Sequence, residues 1–494
     1  MDMPMSGSAP ALASFTDLYQ LTMAYAYWKS GTYGKEAVFT LFFREHPFQG
    51  GFTIASGLST AIDYLKRFRF DRSDLDYLSS LTGREDKPMF DRPFLDYLGT
   101  LRFEGDLDAV PEGTVVFPNE PLVRVRGPIL QGQLLESALL NSINFQSLIA
   151  TKAARLCLAA GERPVIEFGL RRAQGIDGAV TASRAAYVGG CAGTSNVMAG
   201  KLYGIPVLGT HAHSWVMSFD TELAAFQAYA EAMPNNCVFL VDTYNTLDGV
   251  RHAAEVGQWL RAHGHELAGI RLDSGDLAGL SIEARKILDA AGFNDAVIVA
   301  SNDLDEHLIT SLNEQGAKIG VWGVGTKLAT AYDQPALGGV YKLTAIRQAE
   351  GEWQYKLKLS EQAIKVSNPG IQQVRRFRSE GAFVADGIYD SELGAPTEFT
   401  IVDDHAASSR RVMPVDTPHE DLLMPVFRGG ELVYEEPQLR AIRTRAQQQL
   451  SMLPPGVKRF AEPEQYPVGL EARLHDVKAE LIRAARGEAS NSTA

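Results

Sequence analysis

An irregular β/α barrel, preceded by a separate α+β domain and followed by a smaller region, is the fold this sequence predicts. Three observations point there. Short β-rich apolar runs recur through the middle of the chain: VIEFG at 165–169, IPVLGT at 205–210, CVFLVDT at 237–243, GIRLDSG at 269–275, VIVASN at 297–302 and IGVWGVGT at 319–326. Segments of helical periodicity lie between them, among them 221–233, 247–263 and 281–292. Strand and helix alternating at this spacing mean βα units and a parallel sheet. Nearly every run also ends in a polar or glycine-bearing signature: GLRR, GTHAHS, DTYN, RLDSGD, ASND, GVGT. Reactive residues at the C-terminal ends of several strands suit a barrel, whereas an open sheet gathers its site at one switch point. Asp303 followed by Glu306 reads as a capping box opening the helix DEHLITSLNEQG.

The flanks lack this rhythm. Within residues 1–130, TDLYQLTMAYAYWKSG reads as an amphipathic helix, EAVFTLFFREH (36–46) as a strand and STAIDYLKRF as a helix. PEGTVVFPNEPLVRVRGPI (111–129) is β-like and punctuated by proline, so this part is a domain of its own. A helical stretch at 131–160 leads into the barrel, 131–345. Beyond it, in 346–494, β-like pieces (WQYKLKLS, QVRRFR, FVADGIY) give way to Pro-rich segments and two helical stretches. The opening MDMPMSGSAPALASF has neither the basic start nor the apolar core of a signal peptide and reads as a short flexible leader. The last eight residues, GEASNSTA, read as disordered.

Composition narrows the function. A chain of 494 residues, 45% hydrophobic and 22% charged, is a soluble protein of two or three domains. No apolar run approaches the ~18–20 residues that cross a bilayer, so no membrane partner and a cytoplasmic location are expected. Cys157, Cys191 and Cys237 form no CxxC pair. They argue against a disulfide framework and a structural zinc, and read as small buried apolar residues. A formal net charge of −13 argues against nucleic acid as a partner, while leaving room for small anions in a locally positive pocket.

Among ten histidines, His211 and His213 stand one residue apart at the end of an apolar run. On a strand both rings face one way. Three readings stay open: a metal site, an acid–base or nucleophilic residue, and two structural histidines. A zinc barrel of the amidohydrolase kind needs ligands at other strand ends. His252, His263, His265 and His307 instead fall in or after predicted helices. Arg271 and Asp273 share a strand face in RLDSGDL, where a cation beside a carboxylate suits a phosphorylated sugar or forms a simple internal salt bridge. Gly323, Gly325 and Thr326 in GVGT suit a phosphate cradle or a plain turn. Phe168 with Arg171 and Arg172 in EFGLRRAQG suits a flat anionic ring or a solvated loop. Neither a Walker GxxxxGK[ST] nor a GxGxxG after the first strand is present, so any nucleotide is held without those devices.

Taken together, TDLYQLTMAYAYW, EFGLRRAQGIDG, SNVMAGKLYGIPVLGTHAHSW, DTYNTLDG, RLDSGDL and GVGT followed by GGVYKL resemble, in order, nicotinate phosphoribosyltransferase, the ATP-using type II phosphoribosyltransferase family. The resemblance implies an irregular barrel with an N-terminal α/β open-faced sandwich, to which later chain returns or adds a small third domain. It implies that nicotinate and 5-phosphoribosyl 1-diphosphate give nicotinate mononucleotide and diphosphate, with ATP hydrolysed alongside and Mg²⁺ bound through the diphosphate. By motif, His213 becomes the phosphorylated catalytic histidine, and His211 has no catalytic role. Tyr19, Phe168, Arg171, Thr210 and Arg271 become nicotinate contacts. Arg171, Asp273, Gly323, Gly325 and Thr326 become contacts for the phosphorylated sugar, with Asp242, Ser301 and Asn302 as further candidates. A homodimer with shared sites is implied, Tyr19 reaching across the interface. The rival readings are a nicotinamide-specific enzyme, a metal-dependent amidohydrolase-like barrel and a binding protein without turnover. Paired arginines at 171 and 172 favour the acid over the neutral amide.

Overall fold

Six parallel strands form the sheet of one of two units in this computed structural model, which describes residues 11–348, 351–359, 366–403 and 410–486. They are β1 (Val165–Glu167), β2 (Gly193–Thr194), β3 (Val238–Leu240), β4 (Gly269–Leu272), β5 (Val297–Ala300) and β6 (Val321–Val324). Their order is β2-β1-β6-β5-β4-β3, and every neighbouring pair is parallel. The sheet curls as a half-barrel with β2 and β3 as its edges. This unit comprises Leu148–Pro335 and Leu439–Gln447. Phe239, Ile270, Leu272, Ile298, Ala300, Trp322 and Val324 are buried, giving the continuous apolar runs of a sheet covered on both faces.

Several helices of this unit begin on a side-chain cap. Thr221, Asn245, Asp276 and Asp305 accept the N–H of the third residue on, opening Glu222–Ala232, Thr246–Ala262, Leu277–Ala290 and Glu306–Glu314. The last of these corrects the expected Asp303–Glu306 capping box. Asn302 and Asp303 both have positive φ (95° and 36°), so the chain is still turning there and the helix starts two residues later. Glu306 faces inward, onto Lys152 at 2.7 Å and Arg155 at 2.7 Å.

A second correction concerns IPVLGT. This run was expected as a strand, yet it supplies only an isolated parallel bridge from Val207 to Thr194. Pro206 lacks the N–H a ladder needs, and Pro206–Gly209 are exposed. The short β2 takes that place in the sheet instead.

The other unit is made of the described parts of Met1–Ser147, Ala336–Gln438 and Gln448–Ala494. Its seven-stranded antiparallel sheet runs Gln354–Tyr355, Gly339–Arg347, Glu36–Phe43, Val123–Pro128, Asp106–Ala109, Met424–Arg428, Glu431–Leu432. Chain from beyond residue 335 therefore pairs directly with the N-terminal strands. A six-stranded sheet follows the order Arg410–Met413, Phe399–Val402, Val468–Glu471, Ala382–Asp390, Gln372–Ser379, His419–Asp421. Residues 11–15 of the expected leader are described, with Leu12 and Ala13 donating to the carbonyls of Arg67 and Arg69. Residues 1–10 and the tail GEASNSTA lie outside the described residues. Among the described residues no helix is long and apolar enough to cross a membrane.

That second sheet encloses a fully buried ion pair. Arg376 and Asp386 face each other across neighbouring strands at 2.5 Å. The guanidinium also donates to Val115 O and Gln449 Oε1, while Tyr466 donates to Asp386. Burial and the adjacent Asp386 push the Glu120 carboxyl well above the usual range. Arg376→Met would leave two buried carboxyl groups without their cation. Urea unfolding is expected to show a loss of about 3–5 kcal/mol.

Candidate active site

The side chain of Arg271, one residue before the end of β4, organises the carboxyl-terminal ends of the parallel strands. Its Nε donates to Ser301 Oγ at 2.8 Å, Nη1 to Thr210 Oγ1 at 3.2 Å and Nη2 to Asp273 Oδ1 at 2.7 Å. Its charge lies 5.6 Å from the ring centroid of Phe168, which follows β1. Ser301, just past β5, donates in turn to Asp273 Oδ1. Two residues past β3, Asp242 accepts the Asp273 N–H at 2.9 Å and the Ser274 hydroxyl at 2.6 Å through Oδ2. Its other oxygen, Oδ1, is buried with no hydrogen-bond partner. The expected pairing of Arg271 with Asp273 across one strand face is thus present. It is part of a network drawn from four strand ends, not an isolated bridge.

His213 stands beside this network. Its Nδ1 is 3.0 Å from Thr243 Oγ1 and its Nε2 is 4.0 Å from Asp273 Oδ2, with the side chain 41% exposed. The strand geometry expected for His-x-His is not what forms. Ala212 is the extended residue capping a short helix, His213–Met217, so the two rings part company. His211 is buried against Tyr229, Phe226 and Phe239, and its Nε2 accepts the Leu240 N–H at 3.3 Å. This separation also removes the second histidine that a zinc barrel would use. Among the described residues no group of three or more His, Cys, Asp or Glu is gathered as a metal ion would need.

Burial pushes the His211 imidazole down to about 4. The folded form therefore binds fewer protons than the unfolded chain between that value and the ordinary value near ~6.5. Its contribution to stability is complete above the unfolded value and is lost as pH falls toward 4. Wild type should lose roughly 3 kcal/mol more than His211→Gln over that interval, measured as urea midpoints.

The remaining predicted residues divide clearly. Gly323 sits in β6 where a Cβ would come within 2.5 Å of the Phe168 ring, and a Cβ on Gly325 would come within 3.2 Å of Phe168 O. The close approach these glycines permit is thus to Phe168. Thr326 opens the short helix Thr326–Ala329 directly after them. Arg171 and Arg172 lie on a single turn, Leu170–Arg172, exposed and with no ion-pair partner among the described residues. Asn302 is exposed in its left-handed turn, beyond the Arg271 network. Tyr19 belongs to the other unit, on the helix Leu18–Lys29, and is exposed. Two hydroxyls went unread in the sequence, Thr243 and Ser274, each directly after a strand-end aspartate.

Most of the chain matches models of one family. The N-terminal domain of nicotinate phosphoribosyltransferase matches residues 15–144, the family's central model residues 164–357 and its C-terminal domain residues 371–478. The chain belongs to the nicotinate phosphoribosyltransferase family. Among its relatives, the nicotinate phosphoribosyltransferase of Bacillus subtilis is 45% identical over 491 residues, covering 95% of this chain and 97% of that one. The human enzyme of the same name is 37% identical over 526 residues, covering 94% and 96%. A crystal structure of human nicotinic acid phosphoribosyltransferase superposes with a TM-score of 0.83 at 35% identity, over 94% of this chain and 99% of that chain. Membership in the nicotinate phosphoribosyltransferase family places the strand-end network within an enzyme of NAD biosynthesis from nicotinate.

Proposed function

We propose that this chain joins nicotinate to 5-phosphoribosyl 1-diphosphate and couples the transfer to ATP through phosphorylation of His213. The observation that carries it is His213 itself, held by Thr243 and standing beside the Arg271–Asp273 network. The γ-phosphoryl bond of ATP breaks, a nitrogen–phosphorus bond forms on the imidazole and ADP leaves. Water later splits that bond, releasing phosphate and restoring the histidine.

In the transfer step the pyridine nitrogen attacks C1 of the ribosyl group as the bond to diphosphate breaks. Positive charge builds on the sugar and negative charge on the leaving group, so fixed electrostatics matter more than a strong nucleophile. Asp273 and Asp242 would accept ribose hydroxyls. Phe168 offers a flat face for the pyridine, and Arg171 and Arg271 supply charge opposite the nicotinate carboxylate. Thr210 is held by Arg271, and Tyr19 joins the set from a partner subunit. Gly323, Gly325 and Thr326 are assigned to the sugar phosphate, and Ser301 keeps Arg271 and Asp273 in register. Mg²⁺, carried on the diphosphate, would neutralise charge on the leaving oxygens. The site fits such an ion: Asp242 Oδ1 is a buried carboxylate oxygen without a partner, suited to accept its coordinated water.

The exposed apolar residues support a homodimer. Val197, Met198 and Leu202 on the helix Val197–Tyr203, with Val207 and Leu208, are uncovered in one unit, and Leu18, Tyr19 and Met23 in the other. A second copy of the chain would bury them. Soluble phosphorylated substrates suit a cytoplasmic enzyme.

Purified protein with Mg-ATP, 5-phosphoribosyl 1-diphosphate and either nicotinate or nicotinamide tests the reading, with mononucleotide followed by mass. Product from nicotinate, stimulated by ATP, is the expected result. Product from nicotinamide alone would replace the substrate assignment, and none from either base would remove the activity.

A further inference from the structure

Glu167 closes β1 and is buried, and no step above uses it. We propose that it is a positioning residue that sets the Phe168–Gly169 turn and thereby the affinity for nicotinate; this rests on the reading of Phe168 given above.

The carboxylate is met on both oxygens by neutral donors. Oε1 accepts the Gly169 N–H, and Oε2 accepts the hydroxyls of Ser183 at 2.8 Å and Thr194 at 2.5 Å. Among the described residues it has no ion pair. Gly169 must lack a side chain for this to form. A Cβ there would stand 2.2 Å from that of Ala329 and 2.9 Å from Glu167 Oε1. The Phe168 N–H bonds to Val324 O at 2.8 Å while its ring lies over Gly323, so both sides of the turn are pinned.

Thr194 links the same carboxylate to the histidine-bearing segment. Its backbone pairs with Pro206 O and Leu208 N–H, two residues before Thr210, which Arg271 holds. Glu167 is thus the shared anchor of the loop that presents Phe168 and of the segment that leads to Thr210.

An acceptor on both oxygens is required here. Thr194 Oγ1 already accepts the Asn196 N–H, and Ser183 Oγ already accepts from Asn196 Nδ2. A carboxamide keeps only one acceptor: with its N–H₂ toward the hydroxyls, Thr194 loses the acceptor for its proton while Ser183 can turn to Ala179 O at 2.9 Å, and with the N–H₂ the other way it meets the Gly169 N–H. The turn would then lose its anchor although the side-chain volume is unchanged.

Glu167→Gln, Thr194→Val, Phe168→Ala and the Glu167→Gln/Phe168→Ala double variant are assayed with nicotinate and 5-phosphoribosyl 1-diphosphate varied in turn, and melting temperature is recorded for each. Glu167→Gln should raise KM for nicotinate about tenfold and Thr194→Val about threefold, with kcat and the other KM within about twofold. In the Phe168→Ala background, Glu167→Gln should change KM for nicotinate by less than about twofold, because the residue acts through that ring. The proposal is overturned by a full tenfold effect in both backgrounds, or by kcat and every KM worsening together with the melting temperature. Thr194→Val carries the same split should Glu167→Gln fail to fold. Calorimetric titration of nicotinate keeps the two readings apart. With turnover absent from wild type, an unchanged Kd in Glu167→Gln still overturns this proposal, and a weakened one supports it.

Discussion

His213→Ala is expected to abolish ATP hydrolysis and the acid-labile phosphoprotein, and to lower ATP-supported kcat/KM for nicotinate by about a hundredfold or more. A slow, ATP-independent formation of mononucleotide should survive, because the Arg271–Asp273–Asp242 network does not depend on the imidazole for any of its own hydrogen bonds. The size of the loss follows from where the ring stands. With Nδ1 at Thr243 and Nε2 at 4.0 Å from Asp273, a phosphoryl group on the histidine would bring fixed negative charge and acceptor oxygens to the strand ends. Preorganised charge of that kind acts without reorganisation during the transfer step. His213→Asn sharpens the test, since its amide can still meet the Thr243 hydroxyl but cannot carry phosphate. The asparagine variant should match alanine in ATP hydrolysis. ATP stimulation persisting in either variant would sink the phosphohistidine.

Much of the barrel was readable because its strands are buried on both faces. VIEFG, CVFLVDT, GIRLDSG, VIVASN and IGVWGVGT are apolar runs that only a covered parallel sheet explains, and each contains a strand. IPVLGT has the same apolar character, but a proline in its second position removes the donor that pairing would need. The two-residue β2 was invisible because periodicity needs more residues than that. Arg271 and Asp273 were readable as partners because period two placed them on one face. The same rule misled at His211 and His213, where the chain leaves the extended state at Ala212 and starts a helix. Thr243, Ser274 and Glu167 were missed for a different reason. Hydroxyls and buried acids acquire a role only through the partners that folding brings to them, and the partners of Glu167 lie as far along the chain as Thr194. Arg171, Tyr19 and Thr326 owe their assigned roles to family resemblance, and the structure shows only their positions.

Arg271→Lys is expected to lower kcat/KM by about a hundredfold to a thousandfold while leaving the melting temperature nearly unchanged. The charge is kept in this variant, so the loss measures the fork. The guanidinium holds Ser301, Thr210 and Asp273 with three separate nitrogens, in one plane, over the Phe168 ring. An ammonium is a single point of charge on a flexible stem and cannot meet three acceptors so placed. Asp273 can keep its bond to lysine, and Ser301 its bond to Asp273. What goes free is Thr210, and with it the segment leading to His213, together with the fixed cation above Phe168. Hydrogen bonds to charged groups contribute about 1.5–3 kcal/mol each, so losing two near the lower end, about 3–4 kcal/mol together, gives the range stated at about 1.4 kcal/mol for each tenfold. Stability should hardly move, because the Asp273 side chain is 29% exposed and water can serve it. Steady-state kinetics with each substrate, beside a thermal melt, decide the matter. A lysine variant close to wild type would mean that Arg271 supplies charge alone. A variant that melts early would mean that the network mainly holds the barrel together.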